Sequence, residues 1–174
     1  MSRHGTPLDD FSRSHAGILT QLDGLGELPA LIAPAQRARQ IARDVLAFFD
    51  TAILEHHRQE EDTLFPAVLR NAASGPELEW ARIMTERLTR DHRQIEAWWA
   101  RLQPQLVRIA AGQDTPFDDG VLERLIDEYR AHARYEEAEF LPLSQTILGR
   151  DGAHMAALAR ALHERHAGQG PQPR

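Results

Sequence analysis

Two short segments hold most of the side chains able to do chemistry. One is His56-His57-Arg58-Gln59-Glu60-Glu61-Asp62-Thr63-Leu64-Phe65-Pro66. The other is His132-Ala133-Arg134-Tyr135-Glu136-Glu137-Ala138-Glu139-Phe140-Leu141-Pro142. Aligned on the proline, each has a His, a Glu-Glu pair starting four residues later, two large apolar residues and the Pro. On a helix, a His and a Glu four apart share a face. Imidazole and carboxylate together are ligands for a first-row metal ion. Two such pairs facing each other across a helical bundle would make a metal cage.

The elements that must hold this cage are legible as amphipathic helices. A first helix is predicted from Leu8, with Leu8, Phe11, Ile18, Leu22 and Leu25 as its stripe and His15 in the middle of it. It is expected to fade at Gly24 and Gly26 and to end by Pro29. Pro34 opens a second helix to about Ala73, with stripe Ile41, Val45, Phe48, Phe49 and Ala52 leading into His56 and Glu60. Pro66 inside it predicts a kink. A third helix runs from Pro76 to Gly112 on Ala81, Met84, Leu88, Ile95, Trp99, Leu102 and Leu106, with His92 on the stripe. Thr115-Pro116 is the expected N-cap and first residue of a fourth helix, whose stripe Val121, Leu122, Leu125 and Tyr129 continues into His132 and Glu136. Asp151 caps a shorter fifth helix carrying Met155, Leu158 and Leu162. No stretch alternates with the period of a strand. The expected fold is all-α, an up-down-up-down four-helix bundle with an additional C-terminal helix. Residues 1–167 form one domain in this reading, and 168–174 a disordered tail.

At about 100° per residue, and with Ile41 as zero, His56 and Glu60 fall at roughly 60° and 100°, on the stripe. His57 and Glu61 fall at roughly 160° and 200°, off it. With Val121 as zero, His132 and Glu136 fall at roughly 20° and 60°, and Glu137 at roughly 160°. The pairs His56/Glu60 and His132/Glu136 are therefore expected inside, joined by His15 and His92. A single inward His is ordinarily a satisfied core residue. Two buried carboxylates are different, since each costs several kcal/mol unless something compensates. A pair of dications is the simplest compensation, and a purely structural polar core is the alternative. His4, His154, His163 and His166 lie near the ends and read as surface residues.

Composition narrows the chemistry. The 174 residues contain no cysteine and nine histidines, which removes thiolate sites, disulfides and thiol nucleophiles and leaves imidazole and carboxylate ligation. A formal net charge of −6 argues against a nucleic-acid partner. No apolar run is long enough to span a bilayer, and the first residues lack a secretory pattern, so no membrane association and a cytoplasmic location are expected. The Glu-x-x-His motif of ferritin-like centres is missing. So is His-Glu-x-x-His, since Ala167 stands where its second His belongs.

The two His-x-x-x-Glu-Glu segments, with Asp10-Phe11-x-x-x-His15 and Asp91-His92-x-x-Ile95, resemble the hemerythrin HHE cation-binding family over about residues 8–148. The resemblance implies a four-helix bundle around two non-haem iron ions, bridged by oxo or hydroxo and by carboxylates, with manganese or zinc as possible substitutes. It implies His15, His56, Glu60, His92, His132 and Glu136 as ligands. This chain departs from the oxygen carriers of the family at two places. They carry a second His one turn from the third-helix His, where Leu88 and Glu96 stand here. They have an Asp five residues after the last-helix His, where Glu137 stands here. Glu96 makes a third His-x-x-x-Glu pair with His92 and is a candidate extra ligand. These departures resemble the repair and regulatory branches more than the carriers, without the cysteine-bearing segment of the repair proteins.

The expected function is a metal-binding protein that binds or senses O₂ or nitric oxide, or handles iron. One alternative is an enzyme of oxidative or nitrosative defence acting on peroxide or NO, or repairing iron centres, with Tyr129 and Tyr135 near the site. The other is a metal-free helical interaction module.

Overall fold

The computed structural model describes residues 7–168, with side chains described for residues 16–161. All regular structure among them is helical. Helix α1 spans Pro7–Phe48, α2 Leu54–Gln59 and α3 Phe65–Asn71. Two π-helical turns, Phe49–Ile53 and Glu60–Leu64, join them into one continuous rod. Helix α4 spans Pro76–Ala110. A second composite rod holds α5 (Asp119–Tyr135), a π turn (Glu136–Phe140) and α6 (Leu141–Leu148). Helix α7, Gly152–Gly168, closes the described chain. Residues 169–174 of the predicted tail and His4 lie outside the described residues, as do the side chains of His15, Leu162, His163 and His166.

Two of the π turns have a legible cause. Pro66 and Pro142 each stand two residues after a π turn ends. A proline inside an α-helix has no N–H to return to the carbonyl four residues back, and its ring collides with that carbonyl. Widening the preceding turn by one residue relieves the collision.

The first two predicted helices are corrected to one. Helix α1 runs unbroken through Gly24, Gly26, Pro29 and Pro34. Residues 16–38 are exposed along its whole circumference, so water can bond the carbonyls that Pro29 and Pro34 leave without a donor. Packing begins at Arg39 and Arg43, which lie against the end of α4. Arg43 donates to the Ala110 carbonyl, and Arg39 touches Gly112. Gly112, at φ 73°, provides the left-handed turn that stops α4. Everything in α1 before Arg39 therefore projects past the end of the bundle.

The start of the second rod is also corrected. Asp118, not Thr115, caps α5 by accepting a hydrogen bond from Val121 N at 3.0 Å. Asp151 caps α7 as expected, accepting from Ala153 N at 2.8 Å.

The core has two apolar layers. The upper layer joins Ala42, Phe49, Ile95, Trp99, Leu102 and Leu125, with Phe49 and Trp99 stacked at 3.9 Å. The lower layer joins Phe65, Val68, Leu88, Phe140, Ile147 and Leu148, with Phe65 and Phe140 edge to face at 5.1 Å. On each of the three long elements the chemistry-bearing residues fall between the layers: 57 and 60 between Phe49 and Phe65, 92 between Leu88 and Ile95, 132 and 136 between Leu125 and Phe140. The site is thus a polar layer clamped between two dry ones.

Candidate metal centre

The π turn at Phe49–Ile53 decides which histidine points inward. One extra residue per turn sets the rod back by roughly 100°. That correction carries His57 from roughly 160° to roughly 60°, onto the buried side, and moves His56 to its edge. His57 is 1% exposed, whereas the His56 side chain is 49% exposed. The straight-helix expectation for His57 is therefore corrected. Glu60 stays buried, and on the second rod His132 and Glu136 are buried because the only π turn there starts at Glu136 itself.

The side chains gather into two groups of possible ligands. Atoms of His57, His92 and His132 lie within 4.8 Å of one another, and so do atoms of His56, Glu60 and Glu136. Five of the six expected residues meet here, and the side chain of the sixth, His15, is outside the described set. Helix α4 supplies one imidazole, and His57 supplies the further one that Leu88 and Glu96 cannot. The adjacent pair His56-His57 was the available signal for it.

Carboxylates hold the outer faces of two of these imidazoles. His57 Nδ1 lies 3.3 Å from Glu96 Oε1, and His92 Nδ1 lies 2.7 Å from Glu61 Oε1. Arg93 pairs with both acids, reaching Glu61 through Nη2 and Glu96 through Nη1 at 3.1 Å. Glu61, off the stripe, and Glu96, the candidate extra ligand, stand behind these imidazoles in this geometry. A His that gives its Nδ1 proton to a carboxylate keeps a fixed ring and an Nε2 lone pair directed inward, the usual arrangement of a metal-binding imidazole.

The inward atoms have no such partners. His57 Nε2, His92 Nε2, both nitrogens of His132 and both oxygens of Glu60 are buried without a hydrogen bond. Glu60 Oε1 is 3.1 Å from His56 Nε2, and Oε2 is 3.1 Å from His92 Nε2, neither aligned as a hydrogen bond. Lone pairs this close repel unless a cation stands between them. Buried polar atoms are otherwise nearly always satisfied, so this convergence fits a metal ion.

Without a metal, protons take that place. Burial, then His92, pushes the His57 pKa down to about 3, and burial, then His92, pushes His132 down to about 4. Burial would lower His92 too, but Glu60 and Glu61 outweigh it and raise the net value. Glu136 is pushed up to about 9 by burial and then by Glu60. Burial would raise Glu60, but the neighbouring His92, Glu136 and His56 outweigh it and hold Glu60 low. With Glu136 neutral below about 9 and His92 raised, protons take part of the place a cation would fill.

A cavity of about 570 Å³ opens onto the second group, with His56, Glu60, Tyr129, His132, Glu136 and Leu141 in its walls. The Tyr129 ring lies 6.1 Å from that of His132 and 6.5 Å from that of His57. Tyr135, the other expected tyrosine, lies under the Arg87 guanidinium at 3.6 Å and packs on the lower layer.

Comparison with known proteins agrees with this geometry. The chain is similar to an uncharacterized protein of Haemophilus influenzae, 27% identical over 158 residues that cover 87% of this chain and 88% of that one. No solved structure matches it significantly. No helix among the described residues is long and apolar enough to cross a membrane. The family model of the hemerythrin HHE cation binding domain matches residues 6–144, and the buried His/Glu groups could hold a metal. The chain belongs to the hemerythrin HHE cation-binding domain family.

Proposed function

We propose that the chain holds two non-haem iron ions and uses them to bind or sense O₂ or nitric oxide, or to handle iron. In this reading the composite rods and α4 are three members of an up-down-up-down four-helix bundle. The observation that carries it is the set of inward lone pairs on two adjacent three-ligand groups, with Glu60 between them. His57, His92 and His132 would hold one ion. His56 and Glu136 would hold the second, with Glu60 shared. The all-imidazole and carboxylate donor set suits iron, with manganese or zinc as substitutes. Non-haem iron, when bound, supplies one-electron chemistry and affinity for diatomic ligands. The chain's own residues supply access and exclusion. His56 stands at the open side, while Leu64, Leu141 and Leu158 make the cavity wall apolar. Glu61, Glu96 and Arg93 fix the closed side.

Anaerobic loading of the full chain with Fe(II), followed by metal analysis and absorption spectroscopy under O₂ or NO, tests the reading. About two ions per chain and a new absorption band with at least one gas are expected. A loaded protein with no spectral change under either gas overturns the gas-binding role.

Tyr129 favours a second reading, a defence enzyme that reduces peroxide or NO or repairs iron centres. It lines the cavity, and burial, with Glu60 and Glu136 nearby, raises its pKa, so its hydroxyl keeps the proton a donor needs. Turnover of H₂O₂ or NO that falls in Tyr129→Phe and vanishes in Glu60→Ala would support it. Absence of turnover leaves the binding role.

A further inference from the structure

One side of the molecule carries exposed apolar faces on two elements that lead towards the cavity. On α1, Ile41, Val45 and Phe48 are exposed and share a face with His56, once the π turn is counted. On α5, Leu122 and Ile126 share a face with Tyr129 and Ala133. His56, Tyr129 and Ala133 line the 570 Å³ cavity, so these two faces form the walls leading into it from the open end of the bundle. The same chain carries an apolar stripe without a seat. Ile18, Leu22, Leu25 and Ile32 are each more than half exposed, at the spacing of a helix seam. In the sequence His15 continues that spacing, three residues before Ile18. Because α1 is continuous and projects away from its own bundle, its seam cannot reach its own groove.

We propose that two copies of the chain exchange α1, so that residues 15–32 of each fill the groove of the other and deliver His15 to the other copy's metal layer. The last clause rests on the metal-binding reading. A self-complementary exchange of this kind closes with two-fold symmetry and leaves no stripe or groove open. The register supports it. His15 precedes Arg39, where α1 leaves its bundle, by 24 residues, and His56 follows Arg39 by 17. At 1.5 Å per residue the difference of seven leaves about 10 Å between the facing ends of two bundles, a comfortable separation. The residues that would cross this gap have the matching composition. From Ala33 to Gln40 there is no large apolar side chain, whereas Ile32 would sit at the mouth of the groove and Ile18 near its floor. The entering helix runs antiparallel to the rod that holds His56, and its His15 would face the group left with one imidazole, His56, and two acids.

Sedimentation velocity on the full, metal-free chain is expected to give about twice the 19.7 kDa monomer mass. Ile18→Asp with Leu22→Asp is expected to return it to a monomer. A monomeric wild type, or a double variant that stays dimeric, overturns the exchange. The absence of native cysteine allows a direct check of connectivity. Ile18→Cys with Ala133→Cys should oxidise to a covalent dimer, and a disulfide closed within one chain overturns the exchange in favour of α1 folding back. Mixing His15→Ala and His132→Ala chains after joint unfolding and refolding should recover bundles that bind both Co(II) ions, which neither variant forms alone. A dimer cross-linked as expected that binds no Co(II) leaves the exchange standing and removes the metal reading instead.

Discussion

The two ligand groups differ more than their shared layer suggests. The His57-His92-His132 group is buried, and two of its rings are pinned from outside by Glu61 and Glu96. The His56-Glu60-Glu136 group has a half-exposed His and the cavity in front. In the proposed reading the first would keep an ion and the second would present one, with preorganisation on the α4 side and the open position between the two composite rods.

The largest effect that could break this contrast is at Glu60, which touches both groups. Glu60→Ala is expected to remove both ions, with affinity down by more than about 100-fold, read by metal analysis after dialysis. Retention of one tightly bound ion would show that the groups do not share this residue. Next come the neighbouring histidines. His57→Ala should empty the closed group, whereas His56→Ala should keep one slowly exchanging ion. Equal losses in the two variants would erase the distinction. A smaller step is Glu61→Gln or Glu96→Gln, each expected to weaken metal about 10- to 100-fold by loosening an imidazole without removing a ligand.

Protons sharpen the same comparison. Below about pH 9 the metal-free protein keeps Glu136 protonated, mainly through burial, while His57 and His132 are already neutral above about 4. Metal binding near neutral pH should thus release a proton from the open group and none from these two histidines. Calorimetry in buffers of different ionisation enthalpy measures this, and affinity should rise with pH. The stability of the metal-free form follows from the same shifts. Glu136 and His92, both raised, contribute stability at low pH that is lost as pH climbs above their unfolded values of 4.5 and 6.5. The lowered His57 and His132 contribute stability above 6.5 that is lost as pH falls towards 4 and 3. The melting temperature should therefore peak near pH 6.5 without metal, and bound metal should flatten its alkaline side.

How legible these regions were depends on the backbone between them. Helical content, the α4 stripe and the His132/Glu136 pair follow from a 3.6-residue period, because no π turn intervenes before those residues. Pro66 and Pro142 flag two of the π turns. The turn at Phe49–Ile53 has no proline and no other local mark, and it is the one that exchanges His57 for His56 on the buried side. The contacts of Glu61 and Glu96 with the imidazoles were hidden for a related reason. A second-layer acid needs only to reach a ring nitrogen, so its position is set by packing between elements and not by its own helix. The continuity of α1 was hidden by glycines and prolines that usually end helices. Their cost is tolerable where the surroundings are solvent.

Whether the buried His/Glu layer holds two unequal metal ions is read from titration of the metal-free full chain with Co(II), following visible absorption and stoichiometry in wild type and His57→Ala. Two ions are expected in wild type, filling in two spectrally distinct steps, with the tighter step lost in the variant. A single ion, or two equivalent ions whose binding ignores His57, would contradict the proposed reading.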